Sequence, residues 1–215
     1  MTAASGRAED LREACIAQAL HIIDEIGLER LSMRDVARRL GVSHQAPYKH
    51  FKSRDHILAE IIRRAFDDFA DALRARVRSD NPAADFYAMG VAYIAFAQAR
   101  PLYYRLMFAS TLPEPEQHPQ MMISARCAYG LLRDGVQVLF AARGSPLSPS
   151  ELDLEALFAW SSLHGSVSLL RTDALTPLDL APQTRQRLAH HALDRIGAAF
   201  LLTPPAAAPP EEDAQ

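Results

Sequence analysis

The chain has 215 residues, 49% hydrophobic and 23% charged, with a formal net charge of −3, which suits one or two globular domains with a sizeable core and excludes a polycation. Charge is uneven: residues 1–64 hold 11 Lys/Arg against 9 Asp/Glu, the remainder 12 against 17, so any partner that needs positive charge must be met locally. Cys15 and Cys127 have neither ligand spacing nor a disulfide-rich pattern, no leader-like start is present, and no run approaches the ~20 apolar residues of a membrane span. A cytoplasmic protein with two buried free thiols is expected.

Residues 1–7 are small and polar and read as a mobile arm. Leu11, Cys15, Ala19, Ile22, Ile23 and Ile26 then recur at three- and four-residue intervals until Gly27, which predicts a helix over 8–26. His21 within it has no second ligand nearby and reads as a half-exposed filler, not a metal ligand.

Ser32 can accept from the free amides of the following turn, with Asp35 reaching back, so a helix is predicted to begin there. Met33, Val36, Ala37 and Leu40 give it one apolar stripe. Gly41 ends it with positive φ, and Ser43 is placed to cap a second helix carrying His44 and Gln45 at its N-terminal end. Two short helices around a three-residue glycine turn form a helix-turn-helix, whose second helix lies in the major groove. Residues 34–54 support this with Arg34, Arg38, Arg39, Lys49, Lys52 and Arg54 against the single acid Asp35. Pro47 falls just past the first turn of the second helix, where its missing N–H costs one bond, so that helix is expected to be short and irregular. Arg34, Ser43, His44 and Gln45 are the candidates at base edges; Ser32, Tyr48, Lys49, His50 and Arg54 are the candidates at phosphates. Arg7 of the N-terminal arm could also touch DNA.

The run GLERLSMRDVARRLGVSHQAPYKHFKSRDHIL, and roughly residues 8–65 as a whole, resembles the N-terminal domain of TetR-family transcription regulators. Its specificity lies in Ser32, Gly41, the Tyr48-Lys49-His50-Phe51 run and a long helix capped by Ser53. Pro47 departs from the pattern, which more usually has leucine there.

That long helix is predicted to run to about residue 78, with Ile57, Leu58, Ile61, Ile62, Ala65, Phe66, Phe69, Leu73 and Val77 on one side, until Asn81-Pro82 stops it. Residues 82–99 and a short partner after Pro101 concentrate Phe86, Tyr87, Met89, Tyr93, Phe96, Tyr103, Tyr104, Met107 and Phe108. Such residues serve either as plain core or as the lining of an apolar ligand cavity with a few polar groups. Met121 to about 143 gives the next helix, carrying Met122 and Arg126, the latter either on the surface or paired with an acid. Ser150 is expected to cap the helix that reaches about 170, and the last helix spans 184–202. Pro204 and the PPAAAPPEEDAQ end read as a disordered tail.

Trp160, His164 and Gly165 resemble a C-terminal regulatory domain named for its Trp, His and Gly. Gly165 costs a helix ~1 kcal/mol against Ala, so the close approach of another helix is expected there. His164 is either a ligand contact or a hydrogen-bonded core or interface histidine.

No strand alternation or repeat appears. The fold expected is all-α, about nine helices, with a helix-turn-helix domain at 8–55, a helical regulatory and dimerisation domain at 56–203, and a tail at 204–215. The resemblance implies a ligand-responsive repressor that binds a pseudo-palindromic operator as a homodimer through its last two long helices. The body has no basic cluster suited to a polyanion but offers aromatics, methionines and a few hydroxyls, so a largely apolar effector is expected among Phe86, Tyr87, Met89, Tyr93, Phe96, Tyr103, Met107, Met122, Arg126, Trp160 and His164. An activator or constitutive binder without effector is the alternative. No nucleophile elbow, phosphate loop or metal spacing accompanies Ser161, Ser162, His164, His190 or His191, so neither an enzyme nor a cofactor is expected.

Overall fold

The computed structural model describes residues 2–75, 79–109 and 111–202. The expected tail at 204–215, Val77 and the Arg7 side chain lie outside them. The described residues contain no strand and eight α-helices: α1 (Thr2–Ile26), α2 (Met33–Leu40), α3 (Arg54–Arg74), α4 (Pro82–Ala99), α5 (Pro101–Met107), α6 (Pro119–Ala142), α7 (Pro149–Leu170) and α8 (Pro182–Leu202). The segment expected as a ninth helix is a 3-10 turn over Pro47–Lys49.

Helix boundaries follow their capping chemistry. Ser32 accepts from the Asp35 amide at 3.1 Å and donates its own proton to Asp35 Oδ2 at 2.9 Å, starting α2. Gly41 ends α2 at φ 67°, where its amide and that of Val42 close on the last carbonyls of the helix. Ser53 Oγ accepts from the His56 amide at 3.3 Å and starts α3. Elsewhere the ends shift. Backbone helix already begins at Thr2, where an arm was expected. α3 stops at Arg74, so its 21 residues span about 32 Å at ~1.5 Å per residue. α7 is capped by Ser148, not Ser150: Ser148 and Glu151 form a full capping box around Pro149.

The chain divides into two compact units, the residues up to Asp68 with Arg100–Arg126, and Phe69–Ala99 with the residues from Cys127 onward. In the first, Cys15, Ile16, Ala19, Ile22 and Ile23 of α1 pack with Met33 and Val36 of α2, with Phe51, with Ile57, Leu58, Ile61 and Ile62 of α3, and with Leu106 and Met121. A charge network clasps α1 to α3: Glu60 accepts from Arg63, Arg64 and Arg12, while Glu13 accepts two bonds at 2.6 Å from Arg64. Burial alone would raise the Glu60 pKa, but the three guanidiniums outweigh it and bring it to about 2.

In the second unit α4, α7 and α8 pack together around aromatic rings. Phe200 is fully buried and meets Phe86, Phe140 and Phe158 at centroid distances of 5.4 to 6.1 Å. Gly90 and Gly135 permit the close approaches: a Cβ on Gly90 would collide with Leu193, and one on Gly135 with the Met89 methyl. Arginines finish two helices from outside. Arg143 donates to the Phe200 and Leu201 carbonyls at the end of α8, and Arg171 to the Ala97 carbonyl of α4 at 2.9 Å.

Only one of the two thiols matches expectation. Cys15 is buried, whereas Cys127 is exposed and accepts from Arg74 at 2.9 Å. Both are free.

Candidate nucleic-acid interface

The segment after Gly41 shows what Pro47 does to a helix start. A regular turn would send the residue 47 amide to the Ser43 carbonyl, but proline has none, and that carbonyl accepts instead from the Ala46 amide at 2.9 Å. Lys49 repeats the i to i−3 pattern on Ala46, and His50 and Phe51 both close on the Pro47 carbonyl. The outcome is a tight 3-10 turn with the Pro47 ring buried, where an apolar side chain would otherwise sit. The expected short, irregular recognition element is therefore present, in 3-10 form.

Ser43, His44, Gln45, Tyr48 and Lys49 are exposed on this segment, and His50 is half-buried. The Gln45 and His44 Nε2 atoms lie 3.2 Å apart. Ser43 makes no side-chain cap bond among the described residues.

Charges sort themselves by partner. Arg38 donates to Asp35, which holds that carboxyl below its usual pKa, and Arg39 donates to Glu25 with the same effect. Arg54 is committed further: its Nε donates to the Leu31 carbonyl at 3.1 Å and its Nη2 to the Leu28 carbonyl at 2.9 Å, pinning the turn before α2 onto the start of α3. Sequence reading gave Arg54 to phosphate and had no signal for partners 23 and 26 residues away. Of the basic residues in 34–54, Arg34, Lys49 and Lys52 are exposed and carry no ion pair among the described residues, which leaves their charge directed to solvent. Ser32, also assigned to phosphate, has its hydroxyl engaged in both directions with Asp35.

The residues expected around an effector fall in both units. Met107 is buried in the first, Tyr103 and Met122 pack on its core, and Arg126 is exposed without an ion pair among the described residues. In the second, Phe86, Met89, Tyr93 and Phe96 are buried, whereas Tyr87 is 40% exposed and donates to Asp194 at 3.1 Å. His164 lies 3.1 Å from the Tyr93 hydroxyl through Nδ1 and 3.2 Å from Ser168 Oγ through Nε2, with Trp160 edge-on at 6.2 Å. Burial lowers the His164 pKa, which favours its uncharged form, and the ring stands between two hydroxyls. Among the described residues no group of three metal-ligating side chains occurs, and no helix is long and apolar enough to cross a membrane.

Residues 16–61 match the family described as bacterial regulatory proteins, tetR family, and residues 86–196 match the Tetracyclin repressor-like C-terminal domain. The chain belongs to the TetR family. The two matches place an N-terminal helix-turn-helix domain and a helical C-terminal domain in a family of bacterial regulatory proteins. The Trp-His-Gly subtype is not the one this description names. An HTH-type transcriptional regulator of Mycobacterium bovis is 30% identical over 115 residues, which are 50% of this chain and 49% of that protein. The chain spans about half the length of such relatives. The Escherichia coli tetracycline repressor protein class C is 45% identical over 47 residues, 22% of each chain. Among solved structures, a protein of unknown function from a Rhodococcus species is 28% identical with a TM-score of 0.69, covering 88% of this chain and 94% of its own. The TetR-family regulator PfmR of Thermus thermophilus shares the fold at 19% identity and a TM-score of 0.61, covering 87% and 96%.

Proposed function

We propose that this regulator is a ligand-responsive repressor acting in the cytoplasm, binding a pseudo-palindromic operator as a homodimer through residues within 8–55. The observation that carries the dimer is an unfilled stripe on α7. Leu154, Leu157, Phe158 and Leu169 are 65, 45, 42 and 43% exposed, and they share a face with Ser161 and Gly165, where an added Cβ would meet nothing within 4 Å. Among the described residues nothing lies within 4 Å of a Cβ built on Gly165, so the approach it permits is that of a second copy. Two helix-turn-helix units related by a two-fold axis read two half-sites, which one short 3-10 segment could not replace.

Arg34, Ser43, His44 and Gln45 are assigned to base edges, and Lys49, with Tyr48 and His50, to phosphates. Ser32 and Arg54 hold the local fold of the reader and reach phosphate only if their present partners yield. The effector is a largely apolar small molecule recognised by the aromatics and by the Tyr93–His164–Ser168 relay. It alters operator affinity only by preferring one conformation of the dimer, typically by about 5- to 150-fold.

Selection of bound sequences from random DNA followed by affinity measurement tests this reading. Lys49→Ala should weaken all sequences alike and reduce the salt slope by roughly one, whereas Gln45→Ala should relax preference at one base position at a cost of ~1–3 kcal/mol. Equal losses for Gln45→Ala on selected and random DNA would remove it from base reading. Compounds that raise thermal stability without changing operator affinity would favour a constitutive binder or an activator.

A further inference from the structure

Between the starts of α3 and α6, within the first unit, lies an open groove of about 190 Å³ whose lining includes none of the candidate DNA-contact residues and none of the α7 stripe. His56, Ala59, Glu60 and Arg63 line it from α3, and Gln117, His118, Pro119, Gln120 and Met121 from the other side. His118 is only 8% exposed, yet among the described residues its ring nitrogens have no hydrogen-bond partner; the ring meets that of His56 edge-on, with centroids 4.9 Å apart. Buried polar groups are normally satisfied, so one left open toward a groove points to something that completes it.

Two further donor sets converge on the same place. The first bond of α6 runs from the Met122 amide to the His118 carbonyl at 3.3 Å, Pro119 has no N–H, and the Gln120 and Met121 amides have no acceptor among the described residues. Arg63 bonds Glu60 and Asp67 and still has further N–H donors on its guanidinium. His56 spends Nδ1 on Ser53 Oγ at 2.9 Å and keeps Nε2. Glu60, the one carboxylate lining the groove, is already held by three arginines and is not available as a metal ligand. Donors therefore outnumber acceptors.

We propose that this groove binds a small oxyanion, the carboxylate of a metabolite or a phosphate, on the imidazoles of His118 and His56, the Gln120 and Met121 amides and Arg63. The proposal is independent of the dimer and of the apolar effector. Burial and, after it, the neighbouring His56 push the His118 pKa down, against the pull of Asp55 and Glu114. An arriving anion favours the imidazolium, so binding takes up a proton and tightens as pH falls. Because His56 is bonded to the serine that caps α3, occupancy acts on the helix that directly follows the recognition segment.

Titration calorimetry on the full-length protein tests this with sodium phosphate and sodium propionate as separate probes, against sodium chloride at equal ionic strength, at about pH 6 and about pH 8. Saturable binding of one probe, tighter at the lower pH, is expected, and which probe binds decides between phosphate and carboxylate. His118→Gln should weaken it about tenfold, the typical effect of losing a charge-assisted hydrogen bond. The half-buried His56→Gln should do likewise and serves if His118→Gln does not fold. No saturable binding of either probe at the lower pH, affinity unchanged in a folded variant, or zinc binding in place of both anions would overturn the proposal.

Discussion

The first unit is held by charge at its rim, the second by rings and glycines in its interior. In the first, Arg12, Arg63 and Arg64 converge on Glu60, and Arg54 ties two carbonyls of a turn, so α1, α2 and α3 are fixed by directional bonds around an aliphatic core. In the second, Phe86, Phe140 and Phe200 pack ring against ring with the exposed Phe158 at their edge, and Gly90 and Gly135 let neighbouring side chains close in. The difference suits the tasks proposed above: DNA reading would need side chains held at fixed angles, and a module proposed to dimerise and sense would need apolar surface.

The contrast can be broken most severely at Phe200. Phe200→Ala should lower unfolding free energy by about 3–5 kcal/mol in chemical denaturation, since the cavity would open among three other rings. Acid should act on the other unit. The depressed Glu60 pKa means that its contribution is fully present above the unfolded carboxylate pKa near 4.3 and is lost as pH falls toward about 2. On the order of 2–3 kcal/mol should disappear over that window, and Glu60→Gln should flatten the acid limb of the stability profile. Gly90→Ala should cost ~1–3 kcal/mol through the Leu193 collision, while Gly165→Ala, with open space, should leave protomer stability unchanged or raised and show its effect in the dimer dissociation constant measured by analytical ultracentrifugation. Ser148→Ala should cost about 1 kcal/mol by thermal melting, from loss of the α7 cap.

Features encoded within four residues of one another were readable without coordinates. Ser32 with Asp35, Gly41 before Val42, Ser53 with His56, and the distortion at Pro47 are all local, and each took its expected part. Ser148 was equally readable, because Pro149 at the first helical position and Glu151 at the third mark the true start of α7. What the chain order concealed was long-range. The carbonyl partners of Arg54, the collision that makes Gly90 necessary, and the pairing of His56 with His118 join residues 23 to 103 positions apart. Exposure misled as well: Cys127 looked like a core thiol by composition, and its place beside Arg74 depends on how two helices face each other.

Pro47 also bears on how quickly DNA is engaged. A short turn built on i to i−3 bonds would ordinarily fluctuate in the free protein and pay an ordering cost on contact. The pyrrolidine ring removes one soft torsion and is itself anchored in the interior, so much of that conformational entropy is surrendered during folding, not at the encounter. Association with DNA should accordingly carry the heat-capacity change of docking a preformed surface, without the larger negative value that accompanies folding on binding.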